Sequence, residues 1–176
     1  MKDKIKQQLM SEMSRRNIDI VTQWVVEQPQ ALEALIELVL SHNDKVSSRA
    51  SWVLEKISEM EHEPVNAYLE TLINELPNIV SSSTRRTLTK VLMLHVIPEK
   101  FEGEIFDFCI SMIESPKEPV AVKANCMSMV FNLLPKYPEL KNEVFTIIET
   151  QLPHNSIGFK SRFKVLKRKY NKPTRY

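Results

Sequence analysis

Apolar residues recur along this chain at i, i+4 and i+7, the spacing that lines one face of a helix. Leu32, Ile36 and Val39 show it early, and Phe159, Phe163 and Leu166 show it near the end. The periodic stretches run for about 12–17 residues and have helix-forming composition. All 10 prolines fall between them, at 29, 64, 77, 98, 116, 119, 135, 138, 153 and 173. Proline lacks a backbone N–H and its ring clashes with the preceding turn, so each marks a helix boundary. No alternating apolar run bounded by Asn-Gly or Gly-Gly turns occurs. The pattern predicts helices at 2–14, 18–27, 30–41, 45–60, 65–75, 82–96, 102–114, 119–134, 139–151 and 157–170.

A shift of 37 residues brings key positions into register. Positions 36, 73, 110 and 147 are all Ile, positions 32, 69 and 106 are Leu, Leu and Phe, and positions 39, 76 and 113 are Val, Leu and Ile. These form one apolar stripe on the first helix of each unit. In the second helix, positions 50, 87, 124 and 161 are Ala, Thr, Ala and Ser, small enough for close helix approach, and 57, 94 and 131 are Ile, Leu and Phe. Positions 44, 81, 118 and 155 (Asp, Ser, Glu, Asn) precede the second helices; three are good N-caps, and Glu118 is favourable through the helix dipole. Four hairpins follow, at 30–60, 65–97, 102–134 and 139–170. Capping helices over 1–28 precede them, in one repeat domain ending in a basic tail at 171–176. One hairpin cannot bury its own stripe, whereas stacked neighbours can. The expected fold is therefore all-α, a right-handed α–α superhelix of about four hairpins. In the fourth unit Glu143 and Thr150 depart from the apolar stripe, as terminal repeats do where their outer face meets water.

Composition narrows the class without changing it. The chain has 176 residues, 43% apolar and 26% charged, ordinary for a globular domain. Its two cysteines, Cys109 and Cys126, make no disulfide framework and suit a reducing cytosol. The first 16 residues are charged throughout, so no cleaved leader is expected, and no run of 18 apolar residues predicts a membrane span. The expected compartment is cytoplasmic. Charge is polarised: no acid follows Glu149, so residues 160 onward carry 8 basic side chains while the earlier ones carry 16 basic and 22 acidic, a net of −6.

The period and the stretch DKVSSRASWVLEKI (44–57), with EPVAVKANCMSMVFNLL (118–134) as a looser version, resemble the HEAT and armadillo-type helical repeats. The resemblance covers about residues 30–170 and is mostly a packing pattern. It implies an armadillo-type solenoid acting as a scaffold or adaptor. A minority of HEAT-like proteins, the AlkD-type DNA alkylation-repair glycosylases, bind damaged DNA on a basic concave face with aromatic and acidic residues toward the DNA. This chain, with Trp24 and Trp52 alone as tryptophans, does not match that constellation residue by residue.

Candidate chemistry is sparse. Arg49, Arg86, Lys123 and Lys160 recur on the same period. One reading is a positive stripe for an acidic or phosphate-bearing partner; the favoured one is a ladder of contacts to Glu33, Glu70 and Asp107, which recur likewise. Lys164, Lys167, Arg168 and Lys169 with Phe159, Phe163, Tyr170 and Tyr176 combine cations with rings, as nucleic-acid surfaces do. The spacing of Phe159, Phe163 and Leu166 favours docking of the last helix instead, with its charges solvated; a protein or membrane-surface contact is the third reading. His42, His62, His95 and His154 are scattered, Glu61-His62-Glu63 being the only cluster, so no metal site is expected. The cysteines and Met112, Met127 and Met129 read as core residues. The serines at 47–48 and 81–83 read as helix starts. With 2 glycines and neither a P-loop nor a GxSxG motif, no catalytic site and no cofactor are expected. The expected function is non-catalytic binding of another protein, through some of the cations named above. The alternative is a nucleic-acid-binding HEAT-like protein related to the alkylation-repair glycosylases but without their catalytic constellation, its binding expected to be weak.

Overall fold

Helix starts and stops are set locally by capping side chains and prolines. The computed structural model describes residues 1–60 and 63–171, all in helices, turns and short connections. The notional tail residues Lys172, Pro173, Arg175 and Tyr176, and Glu61 and His62, lie outside the described residues. The chain divides into two units, Met1–Ile97 and Pro98–Tyr176.

The first unit contains α1 (Lys2–Ser11), α2 (Arg15–Glu27), α3 (Ala31–Val39), α4 (Asp44–Met60), α5 (Glu63–Asn66), α6 (Leu69–Glu75) and α7 (Ser82–Leu94). The boundary between the first two helices falls earlier than the apolar pattern predicts. Ser14 is extended and its Oγ accepts the Asn17 N–H at 3.1 Å, which starts α2 at Arg15. Asn17 is buried, and its Nδ2 donates to the Gln8 and Glu12 carbonyls at 2.8 Å each. These bonds satisfy carbonyls that the end of α1 leaves open. The helix expected over 65–75 is split into α5 and α6 around residues 67–68. Neither Gly nor Pro sits at that break, so the pattern carries no sign of it.

The second unit contains α8 (Glu102–Glu114), α9 (Val120–Leu133), α10 (Lys141–Gln151) and α11 (Ile157–Tyr170). Pro77, Pro138 and Pro153 each lie in a short 3-10 turn, where a missing N–H is tolerated. Within the first unit α3 pairs with α4 and α4 packs along α7; within the second, α8 pairs with α9 and α9 packs along α11.

Within each unit the second helices keep a 37-residue spacing, although Ala124 and Ser161, in register with the buried Ala50 and Thr87, are half-buried and exposed. In the first unit Ser47 and Thr84, Ala50 and Thr87, and Leu54 and Val91 are equivalent and all buried. In the second unit Val122 and Phe159, Cys126 and Phe163, and Met129 and Leu166 behave likewise. Burying a ring such as Phe159 contributes about 2–3 kcal/mol. The first helices follow the register fully in the first unit, where Leu32, Ile36, Val39, Leu69, Ile73 and Leu76 are buried, and in the second unit at Ile113. Phe106, Ile110 and Ile147 are half-buried; Ile105, Cys109 and Ile113 line α8, and Val144 and Ile148 line α10. One residue is about 100° about a helix axis, so α8 turns its buried face by part of that in one direction, keeping Ile113, and α10 turns in the other. Sequence identity at 110 and 147 therefore overstates their equivalence to Ile36.

The expected caps hold at one of four turns. Ser81 accepts the Thr84 N–H at 3.5 Å, whereas Asn43, not Asp44, caps α4 by accepting from Val46 N–H at 3.1 Å. Pro119 and Ser156 occupy the cap positions of α9 and α11 without side-chain cap bonds. Asn155 is thereby released for a different bond.

Candidate partner-binding surface

The periodic cations do not form one exposed stripe. Arg49 is half-buried, and its Nη1 donates to the Leu9 carbonyl near the end of α1 at 2.6 Å. A cation at a helix C-terminus meets both an open carbonyl and the negative end of the dipole. Arg86 on α7 and Lys160 on α11 are exposed. Lys123 is only 3% exposed: its Nζ donates to Asn155 Oδ1 at 3.0 Å and lies 5.8 Å from the Phe159 ring centre. Burial pushes its ammonium below the ordinary value, and the nearby Glu118 charge opposes the shift. Glu33, Glu70 and Asp107 are exposed.

The helix α11 concentrates the remaining cations. Phe159, Phe163 and Leu166 are buried and dock it. Arg162 Nε donates to Ser128 Oγ on α9 at 2.9 Å, and Lys167 Nζ to Glu149 Oε1 at 2.7 Å. Lys167 also lies 5.2 Å from the Phe145 ring centre and 5.4 Å from that of Phe163, while Lys141 lies 5.3 Å from that of Tyr170. Phe131, Phe145, Phe163 and Tyr170 form one aromatic group, with Phe131 and Phe145 stacked at 5.6 Å. Such ring and cation contacts contribute about 0.5–1 kcal/mol each at exposed sites. Lys160, Lys164, Arg168 and Lys169 remain exposed on the opposite face. Lys160–Lys164 and Lys164–Arg168 are like-charged i, i+4 pairs, each destabilising by about 0.2–0.5 kcal/mol. Lys160 also sits in the first turn, at the positive end of the dipole, and that turn contains no acid.

A second network escapes sequence reasoning. Glu102, at the start of α8, accepts from Lys136 Nζ at 2.7 Å and from Tyr137 Oη at 2.6 Å. The Lys136 and Tyr137 bonds hold its carboxyl below the ordinary value; the same carboxylate pushes the Lys136 ammonium and the Tyr137 hydroxyl up. In the first unit Lys90 bridges Glu55 and Glu59, the latter at 2.7 Å. One signal could have found these contacts. Separations of 31–37 residues recur in Lys90–Glu59, Lys123–Asn155, Lys136–Glu102, Arg162–Ser128 and Ser47–Thr84. Polar pairs about one period apart are the place to look in a repeat array.

The cysteines and two of the three candidate methionines are in the core. Cys109 and Cys126 are buried free thiols in contact with each other, and burial pushes the Cys109 thiol well up. Met127 and Met129 are buried and Met112 is half-buried. His95 is buried with Nδ1 2.9 Å from Asn66 Oδ1, and His42 and His154 are exposed. Among the described residues no group of three His, Cys, Asp or Glu side chains is placed to hold a metal. No helix among them is long and apolar enough to cross a membrane. A hollow of about 320 Å³ lined by Met1, Lys4, Ile5, Trp24, Gln28 and Ala31 lies in the first unit, with Lys4 Nζ 5.9 Å from the Trp24 ring centre.

The HEAT repeat domain family matches residues 5–169. The chain belongs to the HEAT repeat family. Comparison with curated proteins finds no match, and neither does comparison with solved structures. HEAT repeats are commonly protein-interaction scaffolds, and the family match takes in both units of this HEAT repeat protein.

Proposed function

We propose that this HEAT repeat protein is a non-catalytic scaffold or adaptor module that binds a protein partner. The carrying observation is the exposed face of α11, where Lys160, Lys164, Arg168 and Lys169 stand clear of the contacts that engage Arg162 and Lys167. The family's common use in protein interaction supports the reading. So does the fate of the chemically versatile side chains: Cys109, Cys126, Lys123 and Glu102 are buried and bonded within the second unit. Nucleic acid is expected to bind only weakly, at low salt, because phosphate contacts weaken steeply as salt rises. The test is affinity capture of the full chain from its source cells, with and without nuclease. A polypeptide retained in stoichiometric yield after nuclease treatment supports the reading. Recovery of nuclease-sensitive material alone overturns it.

A further inference from the structure

We infer that the outer face of α11 docks an acidic segment of the partner polypeptide, one carrying aliphatic side chains among its carboxylates. The inference rests on the protein-binding reading above and names the partner's chemistry.

Three observations carry it. First, the face has one sign of charge. Residues 157–170 contain no acid, and among the described residues Lys160, Lys164, Arg168 and Lys169 are exposed without an acidic side chain in contact. Helical geometry puts Lys164 and Arg168 on the ridge directly opposite the buried Phe159, Phe163 and Leu166, with Lys160 and Lys169 to either side. Second, the face includes aliphatic side chains. Ile157 is 84% exposed and Val165 is 44% exposed, which places one apolar contact at the N-terminal end of the charged ridge and one between Lys164 and Arg168. They lie about 12 Å apart along the axis at 1.5 Å per residue. A sugar–phosphate backbone gains little from such side chains, whereas a polypeptide with interleaved Asp or Glu and Leu gains from both kinds of contact. Third, the arrangement works against the helix that holds it. Like charges at i, i+4 repel, and Lys160 opposes the dipole at the N-terminal turn. A carboxylate-bearing segment laid along the ridge relieves both penalties, so the unbound helix is less stable than its sequence length and packing allow.

That third point gives a test in which stability and binding move in opposite directions. The probe is a fluorescein-labelled peptide of about twelve residues, rich in Glu and Asp with two Leu spaced to span the ridge. Its Leu→Ser version and single- and double-stranded DNA of matched length complete the set, all titrated into the full chain at near-physiological salt. The acidic peptide is expected to bind with Kd below about 100 μM, several-fold tighter than its Leu→Ser version and tighter than either DNA. The double variant Lys160→Glu/Lys164→Glu is expected to lose at least about tenfold in affinity while its Tm rises by about 1–4 °C. Lys160→Gln/Lys164→Gln, which removes the charges without reversing them, should shift both readouts the same way by smaller amounts. Equal binding by the wild type and both variants overturns the inference, as does tighter binding of DNA than of peptide. A partner captured in unchanged yield by Lys160→Glu/Lys164→Glu retains the protein-binding reading and overturns this one.

Discussion

Ser47 and Thr84 stand 37 residues apart and share a buried hydrogen bond of 3.0 Å between their hydroxyls. Ser47 Oγ also donates to the Val39 carbonyl at the end of α3. Its one proton is thereby committed, so Thr84 is the donor between the two hydroxyls. The starts of α4 and α7 and the end of α3 meet at this one side chain. The expected outcome is an asymmetry. Thr84→Val removes one bond and leaves Ser47 paired to Val39, at a cost of about 0.5–1.5 kcal/mol. Ser47→Ala strips the partner from both a carbonyl and a hydroxyl and costs more, about 1–3 kcal/mol. Urea unfolding of the two variants checks the order; equal losses would contradict it.

The buried register makes a second prediction. Ile73 is 1% exposed, so Ile73→Ala should cost about 2–5 kcal/mol. Ile110, identical in sequence and one period on, is half-buried, so Ile110→Ala should cost less than about 2 kcal/mol. Matching losses at the two sites would show that α8 keeps the register of α6.

How far the fold was legible follows from these two cases. Burial of aliphatic side chains leaves a periodic trace, so the helices and the unit length are readable from Leu32, Ile36 and Val39 onward. Rotation of α8 and α10 leaves almost none, because Cys109 and Ile148 are as apolar as the half-buried Ile110 and Ile147 beside them. Charge is legible and its commitment is not. Lys123 and Lys160 occupy equivalent positions, yet Asn155 draws the first into the interior and, among the described residues, nothing comparable engages the second. Asn17 and Glu102 were missed altogether, since each is explained by partners that only the folded chain brings near.

The Glu102 network predicts a particular pH response. A carboxyl whose folded value lies below its unfolded one contributes stability above the unfolded value, here near 4.5, and loses it as pH falls through the folded value. Tyr137, pushed up from 10.0, contributes stability below that value and loses it as pH rises further. Glu102→Gln should therefore flatten both limbs, below about pH 4.5 and above about pH 10. Thermal melts across that range check this; identical profiles for wild type and variant would remove the network from the account.

Cys109 and Cys126 supply a probe of opening. Both thiols are buried, and burial suppresses the Cys109 thiolate, which is the reactive form. The native chain should react slowly with an aromatic disulfide reagent, and both thiols should react promptly in denaturant. Prompt reaction of either thiol in the native protein would show that the α8–α9 pair opens readily.

On the proposal made above, this HEAT repeat protein holds a polypeptide partner on the basic α11 face. The most direct measurement is lysine-reactive cross-linking of the full chain in its source cells, followed by peptide mapping. The account predicts cross-links from Lys160, Lys164 and Lys169 to a second polypeptide, near acidic stretches of that partner, with the buried Lys123 unlabelled. Cross-links spread evenly over Lys45, Lys100, Lys117 and α11, with no recurring partner, would contradict it.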